Sequence, residues 1–411
     1  MKYIITSLFL VFLTACKTET KETIKTVSIK DDVTFLASDA LEGRQTGSDG
    51  EQKAAKYIAE RFQSIGLQEK GTKGYLQTFS FRPKTDPHQK VNYTVKDGDS
   101  TITGTNVIGL IDNKAENTII IGAHYDHLGL GAEGSLHRGE KGAIHNGADD
   151  NASGVAVLLN LAERLKAINT NNNYLFMAFS GEEMGLLGSN YFVKNPTIDT
   201  KKVNYMINMD MVGRLKADTT LAVYGVGTSP ILKQTVTSNN SKFKIVAKES
   251  GVGPSDHTSF YHADIPVLHF FTGQHEDYHK PSDDTEKLNY EGMQTISNYI
   301  LEIITDLDNN GKLPFRETKN ESDSVPKFEV GLGVTPDYLY DGEGMRIDGT
   351  RSDTPATNAG IQKGDIVMKI GAQDITDMMS YMTALSSFKK GDTTKVTVKR
   401  GEELITVDLT F

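Results

Sequence analysis

Ile119-Ile120-Ile121-Gly122-Ala123-His124-Tyr125-Asp126-His127 decides the fold. The apolar run reads as a buried strand, and it ends at a histidine. A Gly-rich span follows, then Gly147-Ala148-Asp149-Asp150-Asn151-Ala152-Ser153-Gly154 and an amphipathic run from Val155 to Leu165. A helix is therefore expected to open just after the paired aspartates. This places imidazole and carboxylate at the carboxyl end of a strand, where open α/β sheets bind ligands.

Working outward, strand-like runs lie at Gln77 to Phe81, Val91 to Val95, Thr105 to Ile111, Tyr174 to Phe179, Val203 to Met209 and Ile265 to Phe271. Helical patterns lie between them, at Met184 to Val193 and around Pro230 to Thr237. Before them, Ser48-Asp49-Gly50-Glu51 has the capping-box form and opens a helical repeat that stops at Gly66. Met293, Ile296, Ile300, Ile303 and Leu307 form a last amphipathic helix. Strands alternating with helices predict a mixed, mainly parallel sheet sandwiched by helices. From Phe328 the texture changes to short alternating strands with one helix, Met378 to Phe388, which predicts a small β-rich domain. The division expected is an α/β domain over 31–308, a polar linker over 309–327 and the small domain over 328–411.

The first residues read as a targeting segment. Lys2 precedes an apolar run from Ile4 to Leu13 that is too short to span a bilayer. Leu13-Thr14-Ala15-Cys16 has lipobox form, so 1–15 is expected to be a lipoprotein signal peptide, with Cys16 lipidated and 16–30 a flexible tether. Export to the cell envelope, with the chain held on the membrane and facing the periplasm or the exterior, follows from that reading. Cys16 is the single cysteine, which excludes intramolecular disulfides. The 411 residues carry a net charge of −10, and no basic run offers a nucleic-acid surface. Hydrophobic content of 37% and charged content of 24% fit a globular chain.

Five acidic or histidine sites follow apolar runs or open a helix: His124, Asp149, Glu182-Glu183, Asp210, and Tyr278-His279 with Asp283-Asp284 behind it. In a parallel sheet such positions converge on one rim. Packed carboxylates repel, and a divalent cation removes the conflict. A donor set of histidine and carboxylate without thiolate suits zinc, with manganese or cobalt as alternatives. Of two adjacent glutamates, one can bind metal while the other acts as general base. Asp126 is placed to orient the His124 ring. Each position also has a plain structural reading: Glu-Glu suits a helix start, and Asp149-Asp150-Asn151 suits a turn and cap.

At these residues the chain resembles the M28 family of metallopeptidases, the co-catalytic di-zinc aminopeptidases. The likeness rests on Leu41-Glu42-Gly43-Arg44, Asn106-Val107-Ile108-Gly109, Ala123-His124-Tyr125-Asp126-His127, Asp149-Asp150-Asn151-Ala152-Ser153-Gly154, Phe179-Ser180-Gly181-Glu182-Glu183 and Tyr278-His279. The resemblance implies two zinc ions. His124 and Asp210 would hold one, Glu183 and His279 the other, and Asp149 would bridge them. It implies Glu182 as general base, Asp126 as partner of His124, Tyr278 as a stabiliser of the tetrahedral intermediate, and a cis peptide between Asp149 and Asp150. The implied activity is hydrolysis of the N-terminal peptide bond of peptides by a hydroxide held between the metals. A glutaminyl cyclase-like enzyme with a single zinc is an alternative within the same fold. Ser255-Asp256-His257 matches a segment near the substrate pocket, and the span from Tyr125 to Ala148 is expected to form a loop over the site.

The C-terminal segment resembles a PDZ domain through Gly331-Leu332-Gly333-Val334, its carboxylate-binding loop, and Ala359-Gly360-Ile361-Gln362-Lys363-Gly364-Asp365-Ile366-Val367. This implies a C-terminal peptide as ligand. It also leaves a non-catalytic peptide-binding scaffold as a further alternative.

Overall fold

In the computed structural model, the Ile119 run becomes a strand, Thr118–His124, at the centre of a nine-stranded sheet. The structure describes residues 27–83, 93, 95, 98–131, 134–168, 170–319 and 328–411, apart from 338, 341 and 352. Cys16, the proposed signal peptide and most of the tether lie outside these residues, as does most of the strand expected at Val91 to Val95.

The strands of the first sheet are β1 (Gln68–Glu69), β2 (Leu76–Phe81), β3 (Ile102–Ile111), β4 (Thr118–His124), β5 (Asn173–Phe179), β6 (Val203–Met209), β7 (Thr220–Tyr224), β8 (Lys244–Lys248) and β9 (Val267–Phe271). Their order is β1-β3-β5-β4-β6-β9-β7-β8, with β2 also paired to β3. The central four, β5-β4-β6-β9, run parallel, and antiparallel pairings lie outside them. Ile119 and Ile121 pack into one core and Ile120 into another, which explains why the run is apolar throughout. One face is covered by α1 (Ile29–Leu36), α2 (Asp49–Ile65), α3 (Gly154–Lys166) and the long helix Tyr290–Leu307 that ends the first domain. The other face is covered by α4 (Leu187–Lys194) and the short helix His257–Tyr261.

Several local expectations shift. Helix α1 starts at Ile29, inside the segment read as tether, because Ser28 caps it and Ile29, Val33 and Leu36 are buried. The helix expected from Met184 begins at Leu187, so Glu182 and Glu183 sit in a turn and not on a helix. Two strands the sequence reading passed over, β7 and β8, extend the sheet beyond β9. The start of the polar linker lies along the first domain: Leu313 is buried, and Arg316 donates its main-chain N–H to Thr228 O at 2.8 Å.

The second domain is a six-stranded antiparallel sheet with its own core, built around Leu332, Ile347, Val367, Ile370, Val396 and Val398. Leu332 and Val334 of the expected carboxylate loop are buried, and Gly333 takes φ 78° where a Cβ would meet Thr354 at 2.3 Å. The domain meets the first through Leu339, which packs with Ala222 and Val246, and through Lys216, whose Nζ lies 3.0 Å from Asp348. Among the described residues, no helix is long and apolar enough to cross a membrane.

Candidate metal centre

Parallel pairing of β5, β4, β6 and β9 brings their carboxyl ends side by side. His124 is the last residue of β4 and sits opposite Phe179, the last of β5. Glu182 and Glu183 lie in the turn that follows β5. Asp210 follows β6, and the segment carrying Tyr278 and His279 follows β9.

Two donor triads share one carboxylate. His124 Nε2 lies 3.3 Å from Asp210 Oδ1 and 3.4 Å from Asp150 Oδ1. His279 Nε2 lies 3.3 Å from Asp150 Oδ2 and 3.2 Å from Glu183 Oε2. Donors about 2.0–2.1 Å from a tetrahedral cation stand roughly 3.3 Å from one another, so these spacings match the edges of a zinc coordination sphere. His124 Nε2 is buried and has no hydrogen-bond partner among the described residues. A ring nitrogen held there without a partner is fitted to a cation. The ring is aimed by its other nitrogen, Nδ1, which donates to Asp126 O at 3.2 Å. His279 is aimed likewise, donating Nδ1–H to Gly134 O at 2.9 Å. Gly134 belongs to the span between Tyr125 and Ala148, which thus supports the site as well as flanking it.

The carboxylate between the two triads is Asp150, not Asp149. Asp149 Oδ1 accepts the N–H of Gly213 at 2.6 Å and the Ser153 hydroxyl at 3.0 Å, while Oδ2 faces His275 Nε2 at 3.2 Å. The reason is local backbone. Residues Ala148–Ser153 form a wide turn in which Asp150 (φ −108°, ψ 88°) and Asn151 (φ −137°, ψ 44°) depart from helix. That turns Asp150 toward the sheet rim and Asp149 away from it. The cis peptide also lies one residue on, between Asp150 and Asn151.

Burial and charge set the protonation of the cluster. Burial disfavours a charged His279, yet Glu183 and Asp150 outweigh it and lift the ring to about 11. His124 is raised in the same way, burial losing to Asp210 and Glu182. Burial and the Asp150 charge push Glu183 up, but His279 and His127 win and hold it at about 2. Glu182 moves the other way: burial, with the charges of Asp210, Glu183 and Asp256, raises its carboxyl well above the usual range against the pull of His124. Two neighbouring glutamates thus differ in proton affinity, as one donor and one proton carrier require. The main-chain N–H of Glu182 donates to Asp126 Oδ1 at 3.1 Å, which ties it to the same stretch that holds His124. Tyr278 stacks on His279 with ring centroids 3.8 Å apart. Burial and the surrounding carboxylates raise its phenol well above 10, so it stays a donor.

Other residues support this rim from behind. Arg44 is fully buried and donates to the carbonyls of Tyr125 at 2.7 Å, Asn146 at 2.6 Å and Gly147 at 3.0 Å, and also to Leu36. It joins the end of β4 to the approach to Asp150. Glu51 does not close a capping box. Its carboxylate turns inward to accept from Gly47 N at 2.5 Å, Thr105 N at 3.2 Å and Ser180 Oγ. Asp256 is buried beside the site, its carboxyl pushed up to about 7 by burial. Arg214 is half-buried and bonds Asp277 at 3.2 Å. Sequence motifs reach two of these: Arg44 closes Leu41-Glu42-Gly43-Arg44, and Asp256 lies in Ser255-Asp256-His257, the segment matched to the neighbourhood of the substrate pocket.

Comparison with known proteins agrees with this fold. The pattern of peptidase family M28 matches residues 106–304, and that of the PDZ domain matches 330–411. A probable leucine aminopeptidase of Trichophyton verrucosum is 33% identical over 172 residues, 39% of this chain and 44% of that protein. The chain spans about half the length of the curated relatives it matches. A solved zinc-dependent exopeptidase from Parabacteroides distasonis superposes with TM-score 0.56 at 18% identity, over 68% of this chain and 97% of that one. A glutaminyl cyclase from Bacteroides thetaiotaomicron superposes equally well, TM-score 0.56 at 17% identity, over 68% and 97% of the two chains. The order of motifs, the sheet that carries them and the antiparallel domain behind them meet in one statement: this chain contains a peptidase family M28 domain followed by a PDZ domain.

Proposed function

We propose that the chain is a metal-dependent aminopeptidase that hydrolyses the N-terminal bond of peptides. The observation that carries this reading is the pair of triads, His124/Asp150/Asp210 and Glu183/Asp150/His279, sharing Asp150 at one sheet rim. These residues would hold two zinc ions, which supply Lewis acidity toward a carbonyl and an activated water. Glu182, whose carboxyl binds protons more tightly than its neighbour, takes the proton released in attack and delivers it to the leaving amine. Asp126 and Gly134 hold the two ligand imidazoles in one orientation each. Tyr278, kept as phenol, donates to the oxygen that becomes negative. The resemblance to a family that includes leucine aminopeptidases supports a free N-terminus as the recognised group.

The test is a panel of aminoacyl-p-nitroanilides, with N-acetylated counterparts, assayed against metal content per chain. Chelator-sensitive turnover of the free amines only, with two metals bound, is the expected result. The likeness to a glutaminyl cyclase fold supports a second reading, a one-zinc cyclase. One metal per chain with cyclisation of an N-terminal glutaminyl peptide would favour it.

Export and lipid anchoring at Cys16 belong to the same proposal. Radiolabelled palmitate should enter the wild-type chain and not Cys16→Ser. The PDZ domain is proposed to take a C-terminal peptide along Gly331, Leu332, Gly333 and Val334.

A further inference from the structure

Next to the second triad lies a histidine that neither the sequence reading nor the family resemblance uses. We infer that His127 is the positioning residue of Glu183, fixing which carboxylate oxygen faces the second cation. The inference rests on the metal reading above and deepens it.

His127 Nδ1 lies 2.7 Å from Glu183 Oε1, while Glu183 Oε2 is the oxygen near His279. A separation of 2.7 Å is too short for two donors on one tetrahedral cation, which stand roughly 3.3 Å apart. It is the length of a charge-assisted hydrogen bond. His127 Nδ1 is also 3.9 Å from Asp150 Oδ2, further than any histidine–carboxylate pair within the two triads. His279 therefore has the spacing of a ligand, and His127 the spacing of a hydrogen-bond donor to one.

The proton position follows from the partners. Glu183 Oε1 can only accept, so Nδ1 carries the hydrogen. Nε2 is buried without a hydrogen-bond partner among the described residues. Leaving a lone pair unfilled there costs less than burying an unpaired N–H beside a carboxylate facing a bare nitrogen.

The ring is seated firmly. It is 2% exposed, and its main-chain N–H donates to Arg44 O at 3.3 Å. It lies against Gly147, where an added Cβ would stand 2.5 Å from Cδ2 and 2.6 Å from Cγ. Gly147 has φ 55°, and its carbonyl is held by Arg44. The floor under the imidazole cannot move without breaking that anchor.

The four residues from His124 to His127 thus serve both cations. His124 is a ligand of the first, aimed by Asp126. His127 stands behind a ligand of the second. A glutamate has freely turning terminal torsions, so without this hydrogen bond Glu183 would present either oxygen, or both. Loss of a supporting hydrogen bond behind a ligand typically weakens metal binding about 10–100-fold.

The test compares His127→Asn, whose amide places an N–H where Nδ1 stands, with His127→Leu, which fills the space without a donor. Zinc binding to the metal-free full-length protein is followed by calorimetry, with the thermal midpoint of the metal-free form as the control for folding. His127→Leu should keep the midpoint and the first binding event and weaken the second by about 10–100-fold, and His127→Asn should restore most of it. X-ray absorption of the fully loaded wild type should count one imidazole per zinc on average. Wild-type-like second-site affinity in His127→Leu overturns the inference, as does failure of both variants to fold, or an imidazole count of three per two zincs. Less than two zincs on the wild type would instead sink the metal reading itself.

Discussion

One oxygen of Asp283 accepts the main-chain N–H groups of both Asp149, at 2.9 Å, and Asp150, at 3.1 Å. A residue four positions past His279 thereby sets the backbone that presents the shared carboxylate. Removing Asp150 should abolish binding at both cation positions, since both triads use it. Asp150→Asn is expected to bind no zinc tightly, and Asp283→Ala to bind it about 10–100-fold more weakly. Asp149→Asn should retain both zincs, because its carboxylate serves Gly213 and Ser153 instead. Metal analysis after dialysis checks all three.

Glu182→Gln should keep the fold and both zincs and lose turnover by about 10²–10⁴-fold, the usual contribution of a general base. Steady-state kinetics with matched metal content is the measurement. Near-normal kcat in that variant would remove Glu182 from the chemistry.

Cation binding should release protons. In the metal-free cluster His279 is lifted to about 11 and His124 well above 6.5, so both rings are protonated at neutral pH. A cation needs the neutral nitrogen, so loading expels those protons and affinity rises with pH. Calorimetry at pH 7 in buffers of different ionisation enthalpy should show about two protons released per chain when both positions fill. An enthalpy independent of buffer would contradict this.

Arg44 has no direct carboxylate partner among the described residues; its donors go to main-chain carbonyls of four separate residues. Burial brings its guanidinium down to about 10, with Asp150, Asp126 and Asp283 as the nearby opposing charges. Arg44→Met would leave buried carbonyls without donors and should cost ~3–5 kcal/mol of stability, measured by urea unfolding. Arg44→Lys keeps the charge but not the planar fork, and should recover only part of the loss.

Glu51 gives a pH dependence away from the ligands. Burial raises its carboxyl from 4.5 to about 7, against hydrogen bonds from Ser180, Gly47 and Thr105. The folded chain binds this proton more tightly than the unfolded chain. Its contribution is therefore full below about pH 4.5 and is lost as pH rises through about 7. Glu51→Gln cannot ionise, so its stability relative to wild type should rise between pH 6 and pH 8, by about 1.4 kcal/mol. Parallel urea titrations across that range decide it.

The sequence made the central strands and their terminal candidate ligands visible because each sits where an apolar run stops. His124, Glu183 and Asp210 are of this kind, and the structure places each at the expected rim. Adjacent aspartates carry no such signal. Choosing between Asp149 and Asp150 requires the dihedrals of a wide turn, which composition does not encode. Glu51 shows a second limit. Ser48-x-x-Glu51 matches a local helix-start pattern, but the carboxylate finds better partners in Thr105 and Ser180, which only the assembled sheet brings near. His127 carries no signal of its own in the sequence; its meaning lies in Glu183, far away in the chain. Strands β7 and β8 are short and lie beyond β9, with too few residues to establish a period.

The order of strands carries a consequence for how the protein is made. His124 and Glu183 become neighbours when β4 pairs with β5, yet His279 arrives only after β9 has joined β6. A chain still emerging from the ribosome can own half the donors and no complete pair of cages. With the proposed ligands, the first triad needs only β4 and β6 while the second waits for the finished sheet, so zinc would lock the last strand's arrival, and its escape from the second position should be among the first events when that topology begins to come apart.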